Sequence, residues 1–376
     1  MLAKNKLFAK EIGGLFKQGK QEEANGIKQQ VEANKAKVKT LEGEMRAIKS
    51  KLDNGLLQIP NVPHDSVPAG NTDEDNEVYK EWTGELPNLG AKALSHWELA
   101  KKYNLIDFEL GVKITGSGFP LFRGQGARLQ RGLINFFLDE ASKAGYEEIV
   151  PPLLVNEASA RATGQLPDKE GQMYYIEKDD LYLIPTAEVP VTNVFRNVIV
   201  KEADFPIKLT GYTPCFRREA GSYGKDTKGL NRVHQFDKVE IVQIVHPDKS
   251  YEVLETMLDH VANLLSKLEL PYRILRLCGG DLGFTSALTF DFETYSAGQG
   301  RWLEVSSVSN FETFQSNRLK VRYKDANNKN QLAHTLNGSA LALARIIATL
   351  LENHQTPDGI RIPKALQHYV GFDMIK

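Results

Sequence analysis

The sequence predicts an α+β chain, a helical arm leading into a mixed α/β body, and three observations carry that prediction. An apolar stripe at heptad spacing runs from Ile27 to Leu52. From Ser95 onward, helix-period and strand-period segments alternate. Between residues 214 and 240, two alternating apolar-polar runs flank a glycine-rich centre, which reads as two antiparallel strands with a long connection.

The arm comes first. Ile27, Val31, Asn34, Val38, Leu41, Met45, Ile48 and Leu52 step by 4, 3, 4, 3, 4, 3, 4. That is the a/d rhythm of a coiled coil, with Asn34 as a polar position able to fix register. Such a helix is a rod of about 50 Å at 1.5 Å per residue, and its stripe needs a partner. Residues 2–16 can fold back across Gly19 and cover the tip, but not the half nearest the body, so either the first helix is shortened by truncation, the favoured expectation, or another helix supplies the missing partner. Residues 14–20, GLFKQGK, space their glycines and lysine like a phosphate loop, yet Gln21 replaces the required Ser/Thr and no strand precedes them. A hairpin turn is expected there. Pro60, Pro63 and Pro68, followed by Asp73-Glu74-Asp75, mark an extended boundary, giving an arm at 1–59 and a body at 60–376.

Composition bounds the rest. A chain of 376 residues, 41% hydrophobic, can bury one large core plus an appendage. No apolar run approaches the ~20 residues needed to cross a bilayer, and MLAKNKLFAK lacks the apolar block of a secretory signal. Cys215 and Cys278, far apart, fit a reducing cytoplasm and read as buried, inert thiols. Without Cys-x-x-Cys or His-Glu-x-x-His spacing, no zinc is expected. The net charge of −1 hides an asymmetry: residues 1–51 hold 12 Lys+Arg against 6 Asp+Glu, leaving 35 against 42 for the remainder. A basic arm on an acidic body points to a polyanionic partner, or else to a solvated coiled-coil face.

In the body, Leu129, Leu133, Phe136, Phe137 and Ala141 mark one helix face, stopped by Gly145. A short strand at 146–150 runs into Pro151-Pro152. In the hairpin, Gly221, Gly224 and Gly229 lie among Lys225, Lys228 and Arg232; Arg217-Arg218-Glu219 precede this loop, and Phe236 and Glu240 follow it. An arginine and a glutamate on one strand, facing an aromatic and a glutamate on the next, can hold an anion, a purine and an ammonium group together. These are the parts needed to activate an amino acid with ATP. Arg345 falls in residues 340–351, ALALARIIATLL, read as an almost wholly apolar helix. A lone cation there requires an anion, either a ligand or an internal partner, because unpaired buried charge is costly.

Thr186-Ala187-Glu188 and residues 216–219, 234–240, 304–307 and 334–339, with Arg345, resemble in this order the motifs of the bacterial-type seryl-tRNA synthetase family, a class II aminoacyl-tRNA synthetase family. The resemblance covers nearly the whole chain and departs where most of the first helix of the N-terminal hairpin is missing. It implies a class II catalytic domain, an antiparallel β-sheet flanked by helices, behind a truncated coiled-coil arm. It also implies a serine–tRNA ligase reaction in two steps: serine and ATP give seryl-adenylate and pyrophosphate, then serine passes to the terminal ribose of tRNA(Ser), and of tRNA(Sec) where that tRNA exists. Such chemistry needs positioning and charge neutralisation rather than a nucleophilic side chain.

The resemblance further implies the site. Arg217 bridges the serine carboxylate and the α-phosphate, a task suited to a guanidinium fork. Arg218, Glu219, Val233, Phe236, Glu304, Val305, Ser306, Ser307 and Arg345 complete the ATP site, with Glu219 on the adenine amino group, Phe236 against the ring, and Arg345 on the γ-phosphate and the outer face of adenine. Glu304 and Ser307 are expected to hold Mg²⁺ with the ATP phosphates. Thr186, Ala187, Glu188, Arg217, Glu240 and Ser339 form the serine pocket; which carboxylate takes the ammonium and which the hydroxyl stays open. Thr186 and Ser339 also read as helix caps. Lys225, Lys228 and Arg232 are expected to reach the tRNA acceptor end, and His234 and His334 read as hydrogen-bonding scaffold. A cytoplasmic homodimer follows from the same family, with the helix-strand-proline unit at its interface. The rivals are a relative that passes the amino acid to a carrier protein and a catalytically silent tRNA-binding protein; Arg217, Glu219 and Arg345 argue against the second.

Overall fold

The computed structural model describes residues 2–90, 93–169, 171–219 and 227–376. It divides into two compact units, Met1–Pro60 and Asn61–Lys376. The first is a helical hairpin of α1 (Leu2–Lys17) and α2 (Gln21–Leu56). Its turn falls at the lysine-glycine segment, with Gly19 in the left-handed region at φ 74. The 36 residues of α2 make a rod of about 54 Å.

The α1 stripe, Asn5, Phe8, Ile12 and Leu15, is half-buried, as are Ile27, Val31, Asn34 and Val38 of α2. Asn34 Nδ2 donates to Asn5 Oδ1 at 3.1 Å, so the polar position meets a polar partner and fixes register. Beyond the reach of α1, Leu41, Met45, Ile48 and Leu52 are 47%, 62%, 66% and 59% exposed. The apolar rhythm therefore continues for two heptads past the helix that covers it.

The second unit is built on an eight-stranded sheet. Its principal elements, in chain order, are β1 (Glu77–Lys80), α3 (His96–Lys102), α4 (Gly124–Lys143), β2 (Glu147–Glu148), α5 (Glu188–Asn193), β3 (Ile207–Phe216), β4 (Gln235–Val245), α6 (Ser250–Lys267), β5 (Tyr272–Arg276), β6 (Leu288–Ser296), β7 (Arg301–Asn310), β8 (His334–Ala342) and α7 (Leu343–Asn353). The strand order is β1-β5-β6-β7-β8-β4-β3-β2. Every pair is antiparallel except β2 with β3 at one edge.

One apolar layer joins the sheet to its helices. Leu129, Leu133, Phe136, Phe137 and Ala141 of α4 are buried in it, with α4 ending before Gly145 at φ 85. Met257, Val261 and Leu265 of α6 and Ile346, Ile347 and Leu350 of α7 enter the same cluster. From the sheet come Val239 and Ile241 of β4 and Val305 and Val308 of β7. Since side chains alternate along β4, the opposite face of the strand receives Phe236, Lys238 and Glu240. Both Cys215 and Cys278 are buried free thiols. Among the described residues no helix is long and apolar enough to cross a membrane.

The segment 340–351 is not one helix: Ala342 closes β8 and α7 begins at Leu343. Arg345 thus stands in the first turn of α7, partly exposed, instead of deep in an apolar helix.

Candidate active site

The β3–β4 hairpin pairs Phe216 with Gln235 and Gly211 with Glu240. Strand β3 ends at Phe216, so Arg217 and Glu219 lie just past the strand on which alternation had placed them. Arg217 N donates to His234 O at 2.9 Å, and His234 Nδ1 donates back to the Arg217 carbonyl at 3.0 Å. Glu219, at φ 48, turns the chain, and its N–H donates to Gln172 Oε1 at 3.0 Å.

One cavity of about 500 Å³ gathers most of the expected residues: Thr186, Glu188, Arg217, Glu219, Arg232, Val233, Phe236, Glu240, Glu304, Val305, Ser306, Ser307, Ser339 and Arg345. They come from β4, β7 and β8, from the starts of α5 and α7, and from the two ends of the hairpin connection.

The closed end of the cavity is buried and charged. Thr186, Glu188, Lys238 and Glu240 are all buried there. Lys238 Nζ lies 2.5 Å from Glu240 Oε2, which also accepts from Thr186 Oγ1 at 3.1 Å. Thr186 Oγ1 in turn accepts from Glu188 N at 3.2 Å, so one hydroxyl both ties down the first turn of α5 and faces the cavity. Among the described residues Glu188 makes no ion pair; it accepts from Gln315 Nε2. Burial, and then the neighbouring Glu240 charge, raise its carboxyl to about 7. Ser339 sits inside β8 opposite Glu240, so a helix cap at Ser339 is ruled out; its carbonyl accepts from Ser306 Oγ at 2.6 Å.

The open end carries half-exposed ion pairs. Arg345 Nη1 donates to the Glu304 carbonyl at 2.7 Å and approaches Glu304 Oε2 at 3.3 Å. The internal partner weighed for this arginine is therefore a residue of the same cavity. Arg232 Nη1 meets Glu219 Oε2 at 3.1 Å. The Arg217 guanidinium lies 5.4 Å from the Phe236 ring centre, and its Nε donates to Pro185 O at 3.4 Å.

Two bulges bring these groups to one face. On β7, Phe292 pairs with Ser306 and Glu293 with Glu304, which leaves Val305 as the extra residue. On a regular strand, Glu304 and Ser307, three apart, would face opposite sides. The bulge returns both to the cavity while Val305 and Val308 enter the core. On β8, Ala342 and Ser339 oppose Lys238 and Glu240, so three steps face two and both residues again line the cavity.

Other expected residues lie elsewhere. The Ala187 side chain is fully buried in a small core with Val191, Leu209 and Val242, away from the cavity lining. Arg218 leaves the cavity because the chain turns at Glu219, and its guanidinium lies 5.4 Å from the Tyr174 ring centre. Lys228 Nζ lies 5.7 Å from the Trp97 ring centre. Lys225, with Gly221 and Gly224, falls outside the described residues. His234 stacks on Phe119 at 5.4 Å, and His334 Nδ1 lies 2.8 Å from Ser250 Oγ; neither lines the main cavity.

The sequence reading missed Lys238, although Phe236, Lys238 and Glu240 alternate on one face of β4 and could have revealed it. It also missed Asp291, which pairs across the sheet with Ser307. Asp291 is raised well above the usual carboxylate range by burial and then by Glu304, and among the described residues its Oδ1 has no hydrogen-bond partner. No sequence signal marks it. Among the described residues, no group of three or more His, Cys, Asp or Glu side chains is arranged to hold a metal ion. Glu304 and Ser307 on one side, with an orphaned carboxylate oxygen behind them, nonetheless fit a hard cation that shares its shell with phosphate oxygens.

Residues 174–354 match the family described as tRNA synthetase class II core domain (G, H, P, S and T). A prolyl-tRNA synthetase of Giardia lamblia, solved with prolyl-adenylate, shares the fold at TM-score 0.63 and 18% identity, over 73% of this chain and 57% of that one. Fold and cavity together define a class II aminoacyl-tRNA synthetase. Residues 1–63 match the family described as Seryl-tRNA synthetase N-terminal domain. A serine–tRNA ligase of Salinibacter ruber is 52% identical over 370 residues, 98% of this chain and 86% of that protein. The structure of a seryl-tRNA synthetase of Pyrococcus horikoshii complexed with ATP matches at TM-score 0.88 and 35% identity, covering 99% of this chain and 88% of that one. The chain belongs to the seryl-tRNA synthetase family of serine–tRNA ligases.

Proposed function

We propose that this chain activates serine with ATP and transfers it to tRNA(Ser), with tRNA(Sec) as a second acceptor where it exists. The reading is supported by a single cavity lined by Arg217, Glu240, Glu304 and Arg345 together. In the first step a serine carboxylate oxygen attacks the α-phosphorus and pyrophosphate departs with the electron pair of the broken P–O bond. In the second, the terminal ribose hydroxyl attacks the acyl carbon, the acyl–phosphate C–O bond breaks with its electron pair going to the departing AMP, and the hydroxyl proton passes to the released phosphate. Arg217, which lines the cavity, bridges carboxylate and α-phosphate. Arg345 meets the γ-phosphate once it gives up Glu304; Phe236 supplies a face for adenine, and Glu219 accepts from its amino group. Glu304 and Ser307 would hold Mg²⁺, which supplies neutralisation of the polyphosphate charge.

The arrangement at the closed end favours one division of labour between the two carboxylates. Glu188, buried and without an ion pair among the described residues, gains a cation from the serine ammonium. Glu240, already neutralised by Lys238, is left to accept the serine hydroxyl alongside Thr186 and Ser339. An acceptor built for that hydroxyl rejects alanine, which would leave it unpaired.

Outside the cavity, the basic arm and Lys228 are suited to tRNA phosphates. Homodimerisation in the cytoplasm is part of the proposal: the sheet ends at the short strand β2, followed by Val150, 88% exposed, and by exposed Leu153 and Leu154. Pyrophosphate exchange measured with each amino acid in turn is the test. Serine-dependent exchange is expected; exchange driven by another amino acid, or none, would remove the reading.

A further inference from the structure

Behind the open end of the cavity lies a buried polar ring that the proposed chemistry does not use. His96, the first residue of α3, and Glu352, in the last turn of α7, are both fully buried. Glu352 Oε1 accepts from His96 N at 2.9 Å and from Gln299 Nε2 at 3.2 Å, and lies 2.8 Å from His96 Nδ1. Its other oxygen accepts from Ser296 Oγ and from Gly298 N at 3.2 Å. Burial pushes this carboxyl up, but the bonds from His96 and Ser296 outweigh it and hold it below the usual range. Glu352 is therefore an ionised acceptor, and His96 Nδ1 is a donor.

The other ring nitrogen works in the opposite sense. Leu230 N donates to His96 Nε2 at 2.9 Å, so Nε2 carries no proton. His96 is fixed as the neutral Nδ1–H tautomer by its two neighbours. The approach is close: a Cβ on Gly229, at φ 62, would stand 2.2 Å from Nε2. One residue on, Asn231 Nδ2 donates to Gln299 Oε1 at 2.9 Å, and the Asn231 carbonyl accepts from Arg345 Nε at 3.0 Å. Arg345 and Glu352 are seven residues apart on α7, two turns along one face. The ring closes: His96, Leu230 and Asn231, Arg345, α7, Glu352.

We infer that His96 and Glu352 are positioning residues for the nucleotide half of the site, fixing the Leu230–Asn231 backbone so that its carbonyl sets the plane of the Arg345 guanidinium. The inference rests on Arg345 meeting ATP. Buried ionic groups are poor sources of stability compared with apolar packing, and placement is their best-attested use. Asn231 and Arg345 line the cavity while His96, Gln299 and Glu352 stand outside it. The closed end, with Glu188, Lys238 and Glu240, shares no hydrogen bond with the ring among the described residues.

Two histidine replacements separate positioning from packing. His96→Asn keeps a donor for Glu352 but leaves Leu230 N–H unpaired; His96→Gln keeps an acceptor for Leu230. In serine-dependent pyrophosphate exchange, His96→Asn is expected to raise KM for ATP about tenfold, as loss of one buried hydrogen bond implies, with KM for serine unchanged. His96→Gln is expected to recover most of that loss. Gln299→Ala, on a partly exposed turn, removes the Asn231 anchor and one bond to Glu352 while leaving the apolar core intact, and is expected to raise KM for ATP about threefold, about half that effect in free energy. Equal rises in both KM values, no change, or the same ATP effect in both histidine variants would overturn the inference; should neither histidine variant fold, Gln299→Ala decides by the same criterion. Arg345→Ala is run alongside. If it leaves KM for ATP unaltered, the nucleotide role of Arg345 falls and the inference with it; if it raises KM for ATP while the ring variants do not, only the inference fails.

Discussion

The two ends of the cavity are charged in opposite styles. At the closed end, Glu188, Lys238 and Glu240 are buried, and Lys238 and Glu240 sit 2.5 Å apart. At the open end, Arg345 with Glu304 and Arg232 with Glu219 are partly exposed pairs at 3.3 and 3.1 Å. Exposed pairs are worth roughly 0–1 kcal/mol and exchange readily for a ligand. Buried ones are expensive to break and shift the titration of whatever stands beside them. On the proposed reading, the comparison teaches where each kind of recognition works: a small amino acid is selected by fixed, buried groups, and a polyphosphate is met by pairs that can let go.

The sharpest tests break the boundary between the ends. Arg217→Ala removes the bridge itself, and serine-dependent pyrophosphate exchange should fall by at least about 10²–10³-fold with the thermal transition nearly unmoved; exchange near the parent rate would sink the bridging role. Glu240→Gln should come next, and it should strike both function and fold. Lys238 is left buried without its counter-charge, which costs about 3–5 kcal/mol, and serine should lose most of its advantage over alanine. Denaturant unfolding together with exchange on the two amino acids checks this.

Glu188→Gln probes the raised carboxyl. Below about pH 4.5 Glu188 is protonated in folded and unfolded chains alike, and contributes no penalty. Between there and about 7 the unfolded chain releases the proton while the folded chain keeps it, so the folded state is progressively penalised. The full penalty, on the order of 3 kcal/mol, stands above pH 7. The glutamine variant should therefore be more stable than the parent at pH 8, with the gap closing by pH 4. In the parent, KM for serine should rise as pH falls below about 7, because the ammonium must displace that proton, and the variant should lose this dependence. A stability gap independent of pH would show that folding does not raise the Glu188 carboxyl.

At the open end, Glu304→Gln should change stability by less than about 1 kcal/mol while weakening use of Mg²⁺ and ATP in exchange. A large loss of stability would erase the contrast between the two ends. The smallest effect belongs to the arm. Asn34→Leu should strengthen hairpin packing and loosen register, leaving exchange unaltered; a changed exchange rate would tie the arm to activation.

Much of this was legible in the sequence because it is local and periodic. The heptad steps gave α2 and the partner role of Asn34, alternation gave the β3–β4 hairpin, and helix spacing gave the buried face of α4. The extent of α7 was misjudged since an apolar run such as 340–351 reads alike as buried strand and buried helix. Lys238 was missed although its alternation with Glu240 was in view. Ser339 was weighed as a helix cap when it lies inside β8, opposite Glu240.

What the sequence alone determined was which residue types were available and where each strand and helix had its period. Tertiary pairing decided which of them share a cavity. The insertion of Val305 against β6 puts Glu304 and Ser307 on one face, and the matching irregularity in β8 does the same for Ser339 and Ala342. A bulge is a relation between two strands, so no period within one strand can announce it. The buried environment of Glu188 has the same origin: desolvation is a property of everything packed around a carboxyl, and that is assembled only when distant segments meet.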